Sequence, residues 1–321
     1  MVLFITGKCR TGCFYCPVSD SKMGSDNIFA NELMVTSLDD IIKEAENMDA
    51  LGTGITGGDP LMKMDRTLKA IRMLKERFGK EHHIHLYTST IDLEKTRELA
   101  AAGLDEIRFH PSAGIWRSVK ETELGSIVKI DGLDVGIEVP ALPGHQDPLR
   151  TLVQDAYELG VKFINLNELE FSETNWDMMD SMGYDLKDDS SAVAGSEEVA
   201  LEVIKCSKVP IHFCSSSFKD SVQLRRRLIR RAENTAREMD IVTEDGTILK
   251  GLLYSDNVEE AIAVLKEYDV PDELIFECGG GRLEVAPWVL EELADELPYK
   301  CYIIEEYPTA DRLEVERTPL N

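Results

Sequence analysis

Along the first two thirds of the chain, short runs of β-branched and aromatic residues alternate with longer stretches whose apolar positions recur every three or four residues. The short runs read as buried strands and the long ones as amphipathic helices, so their alternation predicts successive βα units around a largely parallel sheet. Strands are expected at 2–6, 54–56, 84–88, 106–109, 135–139, 163–167 and 211–214. Between them, Ser37 and Asp40 resemble an acidic capping box ahead of the stripe Leu38, Ile41, Ile42, Ala45 and Met48. Asp147 and Pro148 open a helix with Leu149, Leu152, Val153, Ala156 and Leu159 on one face and Gly160 past its end. Leu93, Thr96, Leu99 and Ala100, closed by Gly103, repeat the plan. Six or seven such units predict a full or partial barrel whose site is built by the loops at the carboxyl ends of the strands.

The rhythm breaks at 172–197, an acidic, Ser-rich, Gly-containing stretch that reads as an insertion or lid. After the helical run LRRRLIRRAENTARE the period changes to two. Residues 240–254 around Asp245 and Gly246 predict a hairpin, followed by helices near 257–268 and 287–296 and strands near 274–278 and 301–305. The chain is therefore expected to divide into a core domain at 1–238 and a small α+β domain at 239–321.

Composition narrows the function classes. The 321 residues, 43% hydrophobic and 30% charged, can bury a full core. Thirty-five Lys and Arg against 60 Asp and Glu give a formal charge of −25, which repels polyanions. Arg225, Arg226, Arg227, Arg230 and Arg231 stand against that average as a basic helical face, a solvated surface or a phosphate or RNA contact. The apolar run 2–5 is too short for a signal or a spanning helix and no later run reaches membrane length, so a cytoplasmic protein is expected. Seven cysteines without an export signal imply thiols kept reduced or bound to metal.

Three of them, Cys9, Cys13 and Cys16, fall within eight residues just after the first predicted strand. Structural zinc wants four ligands, and the first histidine, His82, and the next cysteine, Cys206, are far away in sequence. A four-iron cube held by three thiolates keeps one iron open to an exchangeable ligand. Cys206, Cys214, Cys278 and Cys301 lack ligand spacing and read as core thiols, with a second cluster as the competing reading. Cys214, at the end of a predicted strand, is a candidate hydrogen donor or substrate-facing thiol. Asn165, Asn167 and Glu168 are costly to bury on so apolar a strand, which makes them candidate substrate or ribose contacts or members of a core hydrogen-bond network. Asn165 and Asn167 share one face with Phe163, and Glu168 takes the other.

With Tyr15 between the last two cysteines, the motif resembles the C-x3-C-x-aromatic-C hallmark of the radical S-adenosylmethionine (radical SAM) superfamily. The segment ITGGDPLM follows after the next strand, and its Gly57, Gly58, Asp59 and Pro60 resemble that family's Gly-Gly-Glu-Pro, with Asp59 one methylene shorter than the usual Glu. Glycines there let backbone carbonyls approach a bound ammonium, and the proline fixes the exit of the turn. The resemblance covers roughly residues 1–215 and is close to the branch related to pyruvate formate-lyase and other glycyl-radical-enzyme activating enzymes, including archaeal members. It implies a partial (β/α)6-type barrel with a [4Fe-4S] cluster on Cys9, Cys13 and Cys16 and S-adenosylmethionine on the open iron. Reductive cleavage then yields a 5'-deoxyadenosyl radical that abstracts a substrate hydrogen, fed by an external reductant of ferredoxin or flavodoxin type. Oxygen sensitivity and an anaerobic host follow. By the same resemblance Gly57, Gly58, Asp59 and Pro60 hold the methionyl group, and Tyr15 lies on the adenine side. Thr88, Ser89 and Thr90 face the methionyl carboxylate or ribose, and Glu138 lines the adenine and ribose; helix caps and ion pairs are the plain alternatives for these, as for Arg108 and His110. A protein or tRNA, a small metabolite of cofactor biosynthesis, and an electron carrier or sensor that never cleaves S-adenosylmethionine all stay open.

Overall fold

The computed structural model describes residues 1–188 and 190–321. Two compact units share the chain, Met1–Ala45 with Ala50–Ser221, and Glu46–Asp49 with Val222–Asn321.

The first unit is built on nine strands: β1 (Val2–Phe4), β2 (Phe29–Ala30), β3 (Leu33–Met34), β4 (Gly52–Thr56), β5 (His83–Thr88), β6 (Glu106–Phe109), β7 (Asp134–Ala141), β8 (Phe163–Glu168) and β9 (Ile211–Cys214). Their order is β3-β2-β1-β4-β5-β6-β7-β8-β9, with β1 and β4 to β9 parallel. All seven strands read from the sequence are present, each beside the next in chain order, as is usual for consecutive βα units. The hairpin β2–β3, antiparallel on the edge of β1, is an addition. Its strands of two residues each are too short to show alternation. What holds it is Asn31, in the left-handed region at φ 52°, whose carboxamide accepts from Val2 N at 2.9 Å and donates to Glu44 at 2.8 Å.

Burial alternates strictly along β5, β6 and β8. Ile84, Leu86, Ile107, Ile137 and Leu166 are fully buried in one core with residues of the helices Leu38–Asn47, Met64–Phe78, Leu93–Ala102, Gln146–Leu159 and Ser196–Cys206. The alternate positions, among them His85, Tyr87, Arg108, Glu138, Asn165 and Asn167, are half-buried. The sheet thus has an apolar face under helices and a polar face, and the polar one carries the chemistry. Among the described residues, 172–195 add no strand to the large sheet. A short helix, Trp176–Ser181, buries Met179, and isolated bridges Glu170 to Ala192 and Leu186 to Val193 draw the flanks together. Asp189 in this stretch lies outside the described residues.

The second unit opens with the helix Arg225–Thr235 and an antiparallel sheet of β10 (Ile241–Val242), β11 (Ile248–Tyr254), β12 (Ile275–Gly279), β13 (Arg282–Val285), β14 (Lys300–Glu306) and β15 (Glu314–Pro319). Its order is β12-β13-β11-β14-β15, with β10 paired to β11. Leu253, Leu265, Val285 and Leu290 form its core with the helices Val258–Glu267 and Pro287–Leu293. The hairpin at Asp245 and Gly246 lies where it was expected, whereas β13 and β15 were not anticipated. The division falls between Ser221 and Val222 rather than at 238/239, because the arginine helix is tied into the second unit. Arg225 donates to Glu244 O at 2.8 Å, and buried Arg231 donates to Pro308 O at 2.6 Å. Arg231 thus leaves the expected basic face, while Arg225 and Arg226 stay exposed, Arg227 and Arg230 half-buried, and Arg225 also pairs with Asp245 at 3.2 Å. No helix among the described residues is long and apolar enough to cross a membrane.

Asp40 supplies the reciprocal half of the expected capping box, its Oδ2 accepting from Thr36 N, Thr36 Oγ1 and Ser37 N, each at 2.8 Å. These bonds, the Ser37 amide first, lower its pKa from 3.8 to about 2. A carboxylate with a depressed folded pKa stabilises fully above its unfolded value and stops doing so as pH falls through the folded one. The stability difference between wild type and Asp40→Ala in urea titrations is therefore constant above pH 3.8 and shrinks towards zero as pH approaches about 2.

Candidate active site

The loop leaving β1 presents Cys9 at the surface and Cys13 and Cys16 half-buried, all three as free thiols. Thr11 N points at Cys9 Sγ at 3.4 Å, and Cys16 N bonds Cys13 O at 3.1 Å. Burial raises the Cys13 thiol above its ordinary value, and neighbouring Cys16 and Cys9 push it further. Among the described residues no three His, Cys, Asp or Glu converge as the ligands of a single ion. An iron–sulfur cube instead spreads its thiolates over separate irons, and three free thiols sensing one another on one loop are a donor set that could hold it.

The Gly57–Pro60 turn leaves β4 directly beside this loop. Gly58 N bonds Thr6 O at 2.7 Å and Asp59 N bonds Lys8 O at 2.8 Å. A Cβ at Gly57 would stand 2.5 Å from Thr6 O, and one at Gly58 2.6 Å from Lys8 O and 2.7 Å from Gly7 O. Backbone against backbone cannot yield, so the glycines are required by contact with the cysteine loop, a reason the motif alone does not reveal. Asp59, 2% exposed, caps the turn Pro60–Lys63 through Leu61 N at 3.0 Å. Its carboxylate also accepts from Thr88 Oγ1 at 2.7 Å, Ser89 Oγ at 2.9 Å and Thr90 Oγ1 at 2.7 Å. Thr11 Oγ1 in turn donates to Ser89 Oγ at 2.6 Å. Cysteine loop, glycine turn and the end of β5 are thus one hydrogen-bonded assembly. At its base, Asp26 pairs with Lys63 at 2.6 Å and Arg66 at 2.9 Å and accepts from Thr6, which holds its carboxyl well below the usual range, the Lys63 bond foremost.

A polar layer continues across the sheet. Glu138 accepts from Asn165 and Asn167 at 2.9 Å each and from Arg108 at 3.1 Å. Arg108 reaches Glu106 at 2.5 Å and Tyr87 at 2.8 Å. Burial, then the charge of Arg108, pushes His85 down to about 3, so its imidazole is neutral. Tyr15 Oη lies 2.9 Å from His110 Nε2, and His110 Nδ1 lies 2.7 Å from Glu138 O. A carbonyl only accepts, so Nδ1 carries the proton and Tyr15 donates to Nε2. Burial lowers the His110 pKa and raises that of Tyr15, keeping both neutral. A cavity of about 350 Å³, lined by Glu106, Arg108, Phe163, Asn165 and His212, opens on this face.

The structure brings together Cys9, Cys13, Cys16, Gly57, Gly58, Asp59, Pro60, Thr88, Ser89 and Thr90, and links Tyr15 through His110 to Glu138, Asn165 and Asn167. Glu168 belongs elsewhere. It is buried on the opposite face, where it accepts from Ser216 N at 2.9 Å and pairs with Lys187, which matches the core hydrogen-bond network that was the other reading of this residue. Cys214, 7% exposed, is in register with Asn167 at the end of β9. The sequence reading missed Thr11, Asp26, Arg66 and Asn175, whose partners are distant along the chain. Asn175 Nδ2 donates to Tyr15 O at 3.2 Å and Thr174 Oγ1 to Cys16 O at 3.5 Å, while Tyr184 stacks on Phe14 at 5.8 Å. Residues 172–184 therefore pack directly on the cysteine loop.

Comparison with known proteins agrees with this geometry. The radical SAM superfamily domain matches residues 3–114, and a domain of unknown function (DUF8061) matches 246–320. A Methanocaldococcus jannaschii protein, provisionally named a glycyl-radical enzyme activating enzyme, is 41% identical over an alignment covering all of this chain and 89% of its own length. Proteins of Methanococcus aeolicus and Methanosarcina mazei, provisionally named GTP 3',8-cyclases, are 29% and 26% identical, each over 56% of this chain and 53% and 47% of their own lengths. Three clustered thiols, a glycine turn locked to them and a full-length relative converge on one assignment: this chain belongs to the radical SAM superfamily, in the branch related to glycyl-radical-enzyme activating enzymes.

Proposed function

We propose that Cys9, Cys13 and Cys16 hold a [4Fe-4S] cluster, that S-adenosylmethionine binds beside it, and that the substrate is a polypeptide. When bound, cluster and cofactor supply reductive cleavage of a sulfonium to a 5'-deoxyadenosyl radical that takes a hydrogen atom from the substrate. The single observation that carries the reading is the Thr11–Ser89–Asp59 chain, which makes the cysteine loop and the glycine turn one unit. The polypeptide substrate is supported by the provisional name of the full-length relative, whereas the cyclases match 56% of the chain and bear on the shared reaction only.

The chain's own residues have distinct tasks in this reading. The 57–60 backbone receives the methionyl ammonium, and Asp59, saturated by hydroxyls, positions that backbone instead of touching the cofactor. Thr88, Ser89 and Thr90 then act through Asp59. Glu138 engages the amide groups of Asn165 and Asn167, so their carbonyl oxygens are the acceptors offered to ribose hydroxyls. Neutral Tyr15 and His110 close the adenine side without adding charge. The open sheet of the first unit is read as a partial (β/α)6-type barrel and residues 222–321 as an appended small domain. An external one-electron donor of ferredoxin or flavodoxin type completes the system.

Protein reconstituted with iron and sulfide under anaerobic conditions, then given dithionite and S-adenosylmethionine, is expected to form 5'-deoxyadenosine; no product from protein with a full iron load would favour an electron carrier. Cys13→Ala is expected to lose cluster absorbance and to lower product formation by about a hundredfold or more, the upper end of what losing a metal-site group costs.

Asp59→Glu separates positioning from direct contact. Restoring the family's glutamate pushes the carboxylate one methylene into its three hydroxyl donors, an overpacking worth about 1–3 kcal/mol. A lower melting temperature and about tenfold weaker S-adenosylmethionine binding by calorimetry are expected; equal or tighter binding would show that the side chain reaches the cofactor.

A further inference from the structure

Residues 176–186 leave Trp176 46%, Met178 54%, Met182 50% and Leu186 46% exposed. Met178 and Met182, four apart, share a side while Met179 turns into the core. A single exposed apolar side chain is ordinary, but four within eleven residues, two of them adaptable methionines, make a patch. Interleaved with it along the chain are the exposed acids Glu173, Asp177, Asp180, Asp185 and Asp188, none of which forms an ion pair among the described residues, while Lys187 in the same stretch is taken up by Glu168 and Glu197. The segment is seated on the cysteine loop through the Tyr15 and Cys16 carbonyls, so whatever docks here lies beside the candidate active site.

We infer that this acid-interleaved apolar face docks an apolar segment of the substrate polypeptide flanked by lysines or arginines, an inference that rests on the polypeptide reading above. Charge selects the occupant. At a formal charge of −25 a second copy of the chain is repelled, as are nucleic acid and an acidic electron carrier. Cationic flanks meet the five acids at contact distance, within the roughly 8 Å Debye length of physiological salt, while Trp176 and the methionines supply the apolar anchor.

The test uses the reconstituted full chain and two fluorescein-labelled peptides, one of leucine and lysine and a twin with glutamate in place of lysine, titrated by anisotropy. The lysine peptide is expected to bind and the glutamate twin not to. The variants Met178→Ser/Met182→Ser and Asp177→Asn/Asp180→Asn should each weaken binding by about tenfold, with S-adenosylmethionine cleavage in the absence of peptide unchanged. Equal binding by wild type and both variants overturns the inference. So does preference for the glutamate peptide, which would assign the face to an acidic carrier, or a dimer in sedimentation that the methionine variant abolishes, which would assign it to a second copy. Wild type that forms no 5'-deoxyadenosine removes the catalytic reading instead, and the titration still decides whether the face binds cationic peptide.

Discussion

A carboxylate shut away from water is tolerated only where donors surround it, and Asp59 meets that condition through one amide and three hydroxyls. The hydroxyls come from consecutive residues at the end of β5, which is adjacent to β4 in the sheet. Strand order thus determines that the glycine turn is pinned, and Ser89 extends the pinning to Thr11 in the cysteine loop. The backbone bonds of Gly58 and Asp59 to Thr6 and Lys8 complete the same joint from the main-chain side. Local rigidity here precedes any cofactor, which is what preorganised sites require.

The two faces of the large sheet divide the remaining work. One carries aliphatic side chains into the core with the helices and supplies the hydrophobic driving force. The other bears Glu138, Arg108, Asn165 and Asn167 in mutual hydrogen bonds, an arrangement acceptable because every charged group in it has a partner. Such a network fixes side-chain orientation before a ligand arrives.

Legibility in the sequence followed the range of the interactions. The seven parallel strands and most helices were readable, because periodicity and caps such as Ser37 with Asp40 are local. The hairpin at Asn31 was not, since two-residue strands carry no pattern and its stabilising contacts reach Val2 and Glu44. Cysteine spacing and the Gly-Gly-Asp-Pro segment were visible as motifs, yet the reason for the glycines lay in the Thr6 to Lys8 backbone. That the hydroxyls at Thr88, Ser89 and Thr90 converge on Asp59 was not legible, because nothing local ties them to a residue about thirty positions earlier. Arg231 misled for the mirror reason, as its carbonyl partner at Pro308 lies further on.

The 172–184 segment grips the cysteine loop by main-chain oxygens of Tyr15 and Cys16, not by their side chains. Every residue type carries that oxygen, so these two bonds survive substitution at positions 15 and 16, whereas the stack of Tyr184 on Phe14 depends on a side chain of the loop. The outer surface of the segment takes no part in those bonds, so it can be rewritten without loosening the seat, a route by which one core could be matched to different clients.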